Sequence, residues 1–250
     1  MRFLHLWKGV ICVVDAAYRI YPLGDGSITV DWGQVPTPEL QDLLIALHEH
    51  LQLQPFPGFI ESVPAYTSLT IFYDPIDQLF SSHVGNGDPS AWVSAHVSAR
   101  IANLKAQSKS NDLVCIPVCY DIEFGPDQQT VSSLCHLELE AMISLHTSVE
   151  YRVYMIGFVP GFPYLGMTDP CLEVPRKKTP MMNVPVGSVA LAGRQTGIYP
   201  LSTPGGWQII GRTPLRLFDP GKSDPFLLKP GMAVKFERIE RDVFEKLSRL

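Results

Sequence analysis

Between His146 and Pro220 the chain gathers the side chains that could do chemistry. Gln195-Thr196-Gly197 and Ser202-Thr203-Pro204-Gly205-Gly206-Trp207 set amide, hydroxyl and indole donors among glycines. Glycine lets backbone N–H groups approach a ligand, and such donors can hold an acyl oxygen or a developing oxyanion. Phe158, Phe162, Tyr164, Tyr199 and Trp207 offer aromatic walls for a small-ligand pocket. Arg176 is a candidate clamp for a carboxylate or phosphate, because its planar fork matches either group. His146 stands where a helix should pass into a strand. It is either an acid–base group or a donor to the last carbonyls of that helix. The bland readings have equal or greater weight on composition alone: tight barrel corners with Trp207 as core, and a solvated Arg176-Lys177-Lys178 loop.

Other motifs are incomplete. Pro220-Gly221-Lys222-Ser223 ends like a phosphate-binding loop, but the first glycine it requires falls at Arg216. His48-Glu49-His50 lacks the zinc-protease spacing, and its histidines diverge on a helix. No Gly-x-Ser-x-Gly elbow and no Gly-x-Gly-x-x-Gly loop occurs after a strand. No nucleophile is named by motif, and no metal site is expected.

The elements that must position these residues are short. Arg19–Tyr21 and Ser27–Trp32 read as strands about Leu23–Gly26. Thr37-Pro38 then caps and starts a helix whose inner face is Leu40, Leu43, Leu44, Leu47 and Leu51. Phe59–Val63 and Ser68–Phe72 form a hairpin, and a second helix begins at Asp88-Pro89 with Val93, Val97, Ile101 and Leu104 inward. This order resembles a ferredoxin-like sandwich. Gln107–Asn111 makes a polar linker, and Leu113–Tyr120 is a strand of either neighbour. Two short helices follow, one with Val131, Leu134 and Cys135 inward, the other with Leu139, Met142, Ile143 and His146. From Tyr151 onward, β-branched runs alternate with Gly- and Pro-dense corners, the pattern of a strongly curved β-structure, through a last strand Ala233–Arg238 and a short helical tail from Glu240.

Composition sets the class. With 250 residues, 46% hydrophobic and 18% charged, the chain can bury one large core or two modest ones. A net charge of −5 leaves no basic stripe for nucleic acid or anionic lipid. Five scattered cysteines read as free thiols of a reducing compartment. Cys115 and Cys119 would sit roughly 13 Å apart along a strand, too far for a bridge. The apolar run Val10–Val14 is too short for a signal sequence, and no stretch approaches the ~20 residues of a membrane span. A cytoplasmic, soluble protein is expected.

The run LHTSVEY…GFVPGFPYLG…PVGSVALAG…QTGIYP…STPGGWQIIGRT…LFDP resembles the family of the B subunit of the bacterial ATP-dependent 5-oxoprolinase. That family is also called allophanate hydrolase subunit 1 and includes sporulation kinase inhibitors of the KipI type. The likeness is dense from Cys115 to Phe236 and looser before it, while residues 1–13 extend beyond the usual start. It implies an α+β chain, with a small ferredoxin-like α/β domain over 1–108 and a cyclophilin-like β-barrel over 109–250. It further implies ATP as a co-substrate of the complex, and two partner proteins, the cyclophilin-like C component and the A component of the same enzyme. Arg176, Gln195, Thr196, Thr203 and His146 are then candidate catalytic residues. Phe158, Phe162, Tyr164, Tyr199, Ser202, Gly205, Gly206 and Trp207 are candidates for substrate binding. Two rival readings share the resemblance: an inhibitor of a sensor histidine kinase, and a component of an allophanate- or urea-type amidohydrolase. No Met-Lys-Met biotin site is present for the latter. Arg194 and Met167-Thr168-Asp169 depart from the pattern where side chains could tune substrate choice.

Overall fold

The structure, a computed structural model, describes residues 17–33, 35–104 and 113–249. It divides into two compact units, Met1–Ser110 and Asn111–Leu250. The expected linker at Gln107–Asn111 falls outside the described residues, as does the N-terminal extension 1–13.

In the first unit, strands β1 (Arg19–Pro22) and β2 (Ser27–Asp31) form a hairpin. Helix α1 (Pro38–Leu53) starts where its cap requires, with the Thr37 hydroxyl accepting the Leu40 N–H at 3.2 Å. Its leucines at 40, 43, 44, 47 and 51 are buried, each contributing about 1.5–3 kcal/mol relative to exposure. A second hairpin, β3 (Phe59–Pro64) and β4 (Ser68–Tyr73), completes an antiparallel sheet of order β1-β2-β4-β3. Strands β2 and β3 therefore flank β4 with α1 between them in sequence, a split β-α-β unit. Helix α3 (Pro89–Asn103), capped by Asp88, lays Val93, Val97 and Ile101 into the same core. Between them lies α2 (Gln78–Val84), which apolar spacing did not reveal because Phe80 is its one buried residue.

In the second unit, β5 (Leu113–Val118) is followed by α4 (Gln128–Cys135), α5 (Leu139–Ser148), β6 (Glu150–Ile156) and β7 (Pro163–Gly166). Strands β8 (Met181–Val184), β9 (Ser188–Ala192), β10 (Gln195–Ile198), β11 (Thr203–Gly205), β12 (Gln208–Arg212) and β13 (Ala233–Arg238) come next, then α6 (Arg241–Leu247). Seven of the strands form one sheet, β12-β9-β10-β7-β6-β13-β5, antiparallel except for β13 beside β5. Strand β5 thus belongs to this sheet, the choice the sequence left open. The sheet curls until its two ends touch: Cys119 and Arg212 exchange backbone hydrogen bonds of 2.8 and 2.9 Å. Gly211 permits this approach, since a Cβ there would lie 2.8 Å from Val118 Cγ1 and 3.0 Å from the Cys119 oxygen. The fold is mixed α/β with a curled half-barrel sheet.

Alternation along the strands gives the sheet two apolar faces. One packs Val153, Leu165, Val189, Leu191, Ile198 and Ile210 with Met142 and Ile143 of α5. The other carries Ala190, Ala192, Tyr199 and Ile209 with Phe162, Val184 and Trp207. Leu134 and Leu139, expected inward, are 46% and 37% exposed. Helices α4 and α5 are too short to bury a full stripe, and Val131, Met142, Ile143 and His146 fill the available depth.

Candidate functional site

The second face of the sheet builds a pocket from small residues upward. Register aligns Tyr164, Gly197, Ala190 and Ile209 across β7, β10, β9 and β12. Because Gly197 has no side chain, the Phe162 ring settles onto it; a Cβ there would lie 2.9 Å from Phe162 Cζ. Phe162 then gathers other rings, with centroids 4.8 Å from Tyr164, 5.1 Å from Tyr199 and 5.5 Å from Trp207. The last two contacts are edge-on, the geometry that ring quadrupoles favour. Gly205 leaves room for the Tyr199 phenol, whose ring and hydroxyl occupy the space a Cβ would take. What remains open is a cavity of about 240 Å³, lined by these rings, Phe158, Arg176, Pro180 and Pro204–Gly206.

Arg176 is the charged group of this cavity. Its guanidinium lies 6.0 Å from the Trp207 ring centroid, within cation–π reach, and among the described residues no carboxylate pairs with it. Burial pushes the Tyr164 and Tyr199 phenols above their ordinary pKa while Arg176 pulls them down, so both line the cavity as neutral hydroxyls. An apolar cleft with one cation at its rim suits a small anionic molecule.

The loop bearing Arg176 is fastened down by its neighbour. Lys177 Nζ meets Asp127 Oδ2 at 2.5 Å, with both side chains 15% exposed, and the same oxygen accepts the Ile209 N–H at 2.6 Å. The Lys177 N–H donates to the Gly206 carbonyl at 2.7 Å, and Gln208 Nε2 to the Pro175 carbonyl at 3.1 Å. Exchange of Lys177 for methionine keeps the stem and strands the carboxylate. Urea unfolding should show a loss of about 1–3 kcal/mol; an unchanged midpoint would mean that this pair does not hold the loop.

The structure brings Phe158, Phe162, Tyr164, Arg176, Tyr199, Gly205, Gly206 and Trp207 together around the cavity. Gln195 shares the sheet face of Gly197 and Tyr199, one pleat beyond the lining. Thr203 is half-buried on β11 and Ser202 is exposed beside it, and neither lines the cavity. His146 and Thr196 stand apart from the cavity lining. Both are fully buried and turned to the opposite face, because Thr196 alternates with Gln195 and Gly197.

There they form a directed chain of hydrogen bonds. The Thr196 hydroxyl donates to the Ala190 carbonyl at 3.2 Å, so it accepts from His146 Nε2 at 2.9 Å. His146 Nδ1 is then the acceptor for the Tyr120 hydroxyl at 2.7 Å. The hydrogen-bond network thus assigns a neutral Nε2–H tautomer, and burial holds the imidazole pKa down at about 3. The chain braces the core and leaves no group free for proton transfer in the cavity.

The sequence and the fold recur in known proteins. The carboxyltransferase domain family, subdomain C and D, matches residues 18–228. The chain belongs to that family. It is 45% identical to the B subunit of 5-oxoprolinase from Bacillus subtilis over 227 residues, 90% of this chain and 95% of that protein. The crystal structure of TTHA0988 superposes with a TM-score of 0.72 at 37% identity, covering 86% of this chain and 40% of that longer one. The Kluyveromyces lactis urea carboxylase superposes with a TM-score of 0.72 over 95% of this chain and 24% of its own, at 15% identity, which shows a shared fold alone.

For this member of the carboxyltransferase subdomain C and D family, sequence reading missed Pro180, Asp127 and Lys177. The Gly125-Pro126-Asp127-Gln128 corner contained a usable signal: a glycine-proline turn ending in two polar residues too close to a core helix to be solvated. In the structure the Gln128 amide is fully buried and donates to the Tyr120 and Ile210 carbonyls at 2.6 and 2.7 Å. Nothing in the spacing joins Asp127 to Lys177. The loop at Gly221 does not fit a nucleotide phosphate, because the Gly221 N–H is already given to the Asp219 carboxylate at 3.1 Å. No helix of the described residues is long and apolar enough to cross a membrane.

Proposed function

We propose that this chain is the B component of an ATP-dependent 5-oxoprolinase complex, opening 5-oxoproline to glutamate together with the A and C components. The observation that carries this reading is Arg176, which pairs with no carboxylate among the described residues, at the rim of an aromatic cavity of about 240 Å³, in a chain 45% identical to a protein named as the B subunit of 5-oxoprolinase. A five-membered lactam bearing one carboxylate fits both halves of the site. The carboxylate takes the guanidinium fork, and the ring methylenes take the aromatic walls. An unstrained lactam resists hydrolysis because amide resonance must be broken. ATP supplies the phosphoryl group that turns the amide oxygen into a leaving group, and no step is assigned to nucleotide binding on this chain. Its own residues bind and orient the acid, while Phe162 and Trp207 exclude water. Gln195 lies on the same sheet face as Gly197 and is the proposed donor to the lactam oxygen.

We read the two units as a ferredoxin-like α/β domain over 1–108 and a cyclophilin-like barrel over 109–250, in a cytoplasmic complex. The test is ATP-dependent glutamate release from 5-oxoproline by the co-purified A, B and C proteins, with each omitted in turn. Activity should vanish when this chain is left out. Undiminished turnover without it would end the proposal, and a chain that joins no such complex would favour the kinase-inhibitor reading.

A further inference from the structure

Phe158 differs from every other residue of the cavity wall. It lies in the turn joining β6 to β7 and carries a left-handed backbone, φ 68°, although Gly157 and Gly161 stand on either side. The Val159 N–H donates to the Gly157 carbonyl at 2.8 Å, closing a three-residue turn about Phe158. That turn with a positive central φ is the strained variety, which a bulky residue adopts against its backbone preference. Two further bonds hold the loop in place: Gly157 N–H to the Phe162 carbonyl and Phe162 N–H to the Val159 carbonyl, both at 3.1 Å. The strain is not repaid by packing, since the residue is 62% exposed and its ring meets Phe162 edge-on at 5.8 Å. What the conformation does accomplish is to bring the ring to the cavity lining.

We infer that Phe158 is a specificity-determining residue, held in a strained turn so that its ring covers the apolar side of a bound lactam and disfavours the ring-opened diacid. This rests on the reading of the cavity as the 5-oxoproline site. The physical argument is one of charge. 5-Oxoproline presents one carboxylate, which Arg176 takes, and an otherwise uncharged ring suited to an aryl wall. Glutamate adds a second carboxylate and an ammonium group. At Phe158 these would lose water without gaining a partner.

The experiment measures, in the assembled complex, KM for 5-oxoproline and the inhibition constant of glutamate for wild type, Phe158→Ala and Phe158→Gly. It also records the melting temperature of each chain. Wild type should favour the lactam by tenfold or more, and both variants should reduce that ratio to within about threefold. Both variants lack the ring, but only glycine relieves the backbone, so Phe158→Gly should melt about 2–4 °C above Phe158→Ala. A complex that turns over normally with an unchanged ratio in both variants overturns the inference alone. Equal melting temperatures overturn the strain on which it is built. A wild-type complex without turnover overturns the functional reading and this inference with it.

Discussion

Exchange of Arg176 for alanine is expected to lower kcat/KM of the assembled complex for 5-oxoproline by about tenfold to a hundredfold, the range of a charge-assisted hydrogen-bonded pair. The fold should not suffer. Arg176 is exposed, and among the described residues it donates to no carboxylate, so no partner is left unsatisfied by its loss. Lysine should recover only part of the activity. It restores the charge but neither the bidentate fork nor the planar face stacked toward Trp207. Alanine at Gln195 should also cost more than tenfold if its amide meets the lactam oxygen. Near-normal turnover by the Arg176 variant, with an intact melting transition, would remove the anion clamp and leave the cavity as an apolar site.

The second large effect is on stability and depends on pH. His146 is buried between Tyr120 and Thr196, stacks on Phe236 at 4.5 Å, and has its pKa lowered by burial from 6.5 to about 3. The unfolded chain therefore takes a proton below about pH 6.5 that the folded chain refuses until about pH 3. The unfolded state binds more protons in that window, so this group's contribution is fully present above pH 6.5. It is lost as pH falls, at about 1.4 kcal/mol per pH unit. Between pH 6.5 and 4.5 the loss comes to about 2.5 kcal/mol. His146→Gln, which donates and accepts without titrating, should flatten that part of the stability curve measured by urea unfolding across pH. His146→Ala should cost about 3–5 kcal/mol at neutral pH, from the cavity and from the stranded Tyr120 and Thr196 hydroxyls. A glutamine variant that keeps the wild-type pH slope would show that another group carries it.

These two residues show how far the sequence could be read. Arg176 sits in a run of three basic residues, and its type alone suggested either a solvated loop or an anion clamp. What separates Arg176 from Lys177 is the direction each takes: one toward Trp207, the other toward Asp127. His146 was legible as a histidine on the inner face of a short helix, which is where α5 places it. Its depth of burial, which sets it apart from the cavity, was invisible until β10 was laid across it. Phe158 was picked out as aromatic wall, but its strain was not, since residue type alone does not report a backbone φ of 68°.

By itself the sequence determined most elements of the first unit and where its two long helices begin. Thr37-Pro38 and Asp88-Pro89 start helices, leucines at helical spacing face inward, and glycine- and proline-dense corners separate short strands. All of these are interactions among residues a few positions apart. It also contained the family's motifs, and with them the aromatic residues of the cavity. Only the tertiary structure decided which side of the curled sheet each residue serves. Alternation along β10 says that Gln195 and Thr196 point opposite ways. It does not say that Gln195 shares the face of the aromatic cavity while Thr196 meets His146. That choice, like the pairing of Asp127 with Lys177, depends on contacts between residues far apart in the chain, which no local pattern encodes.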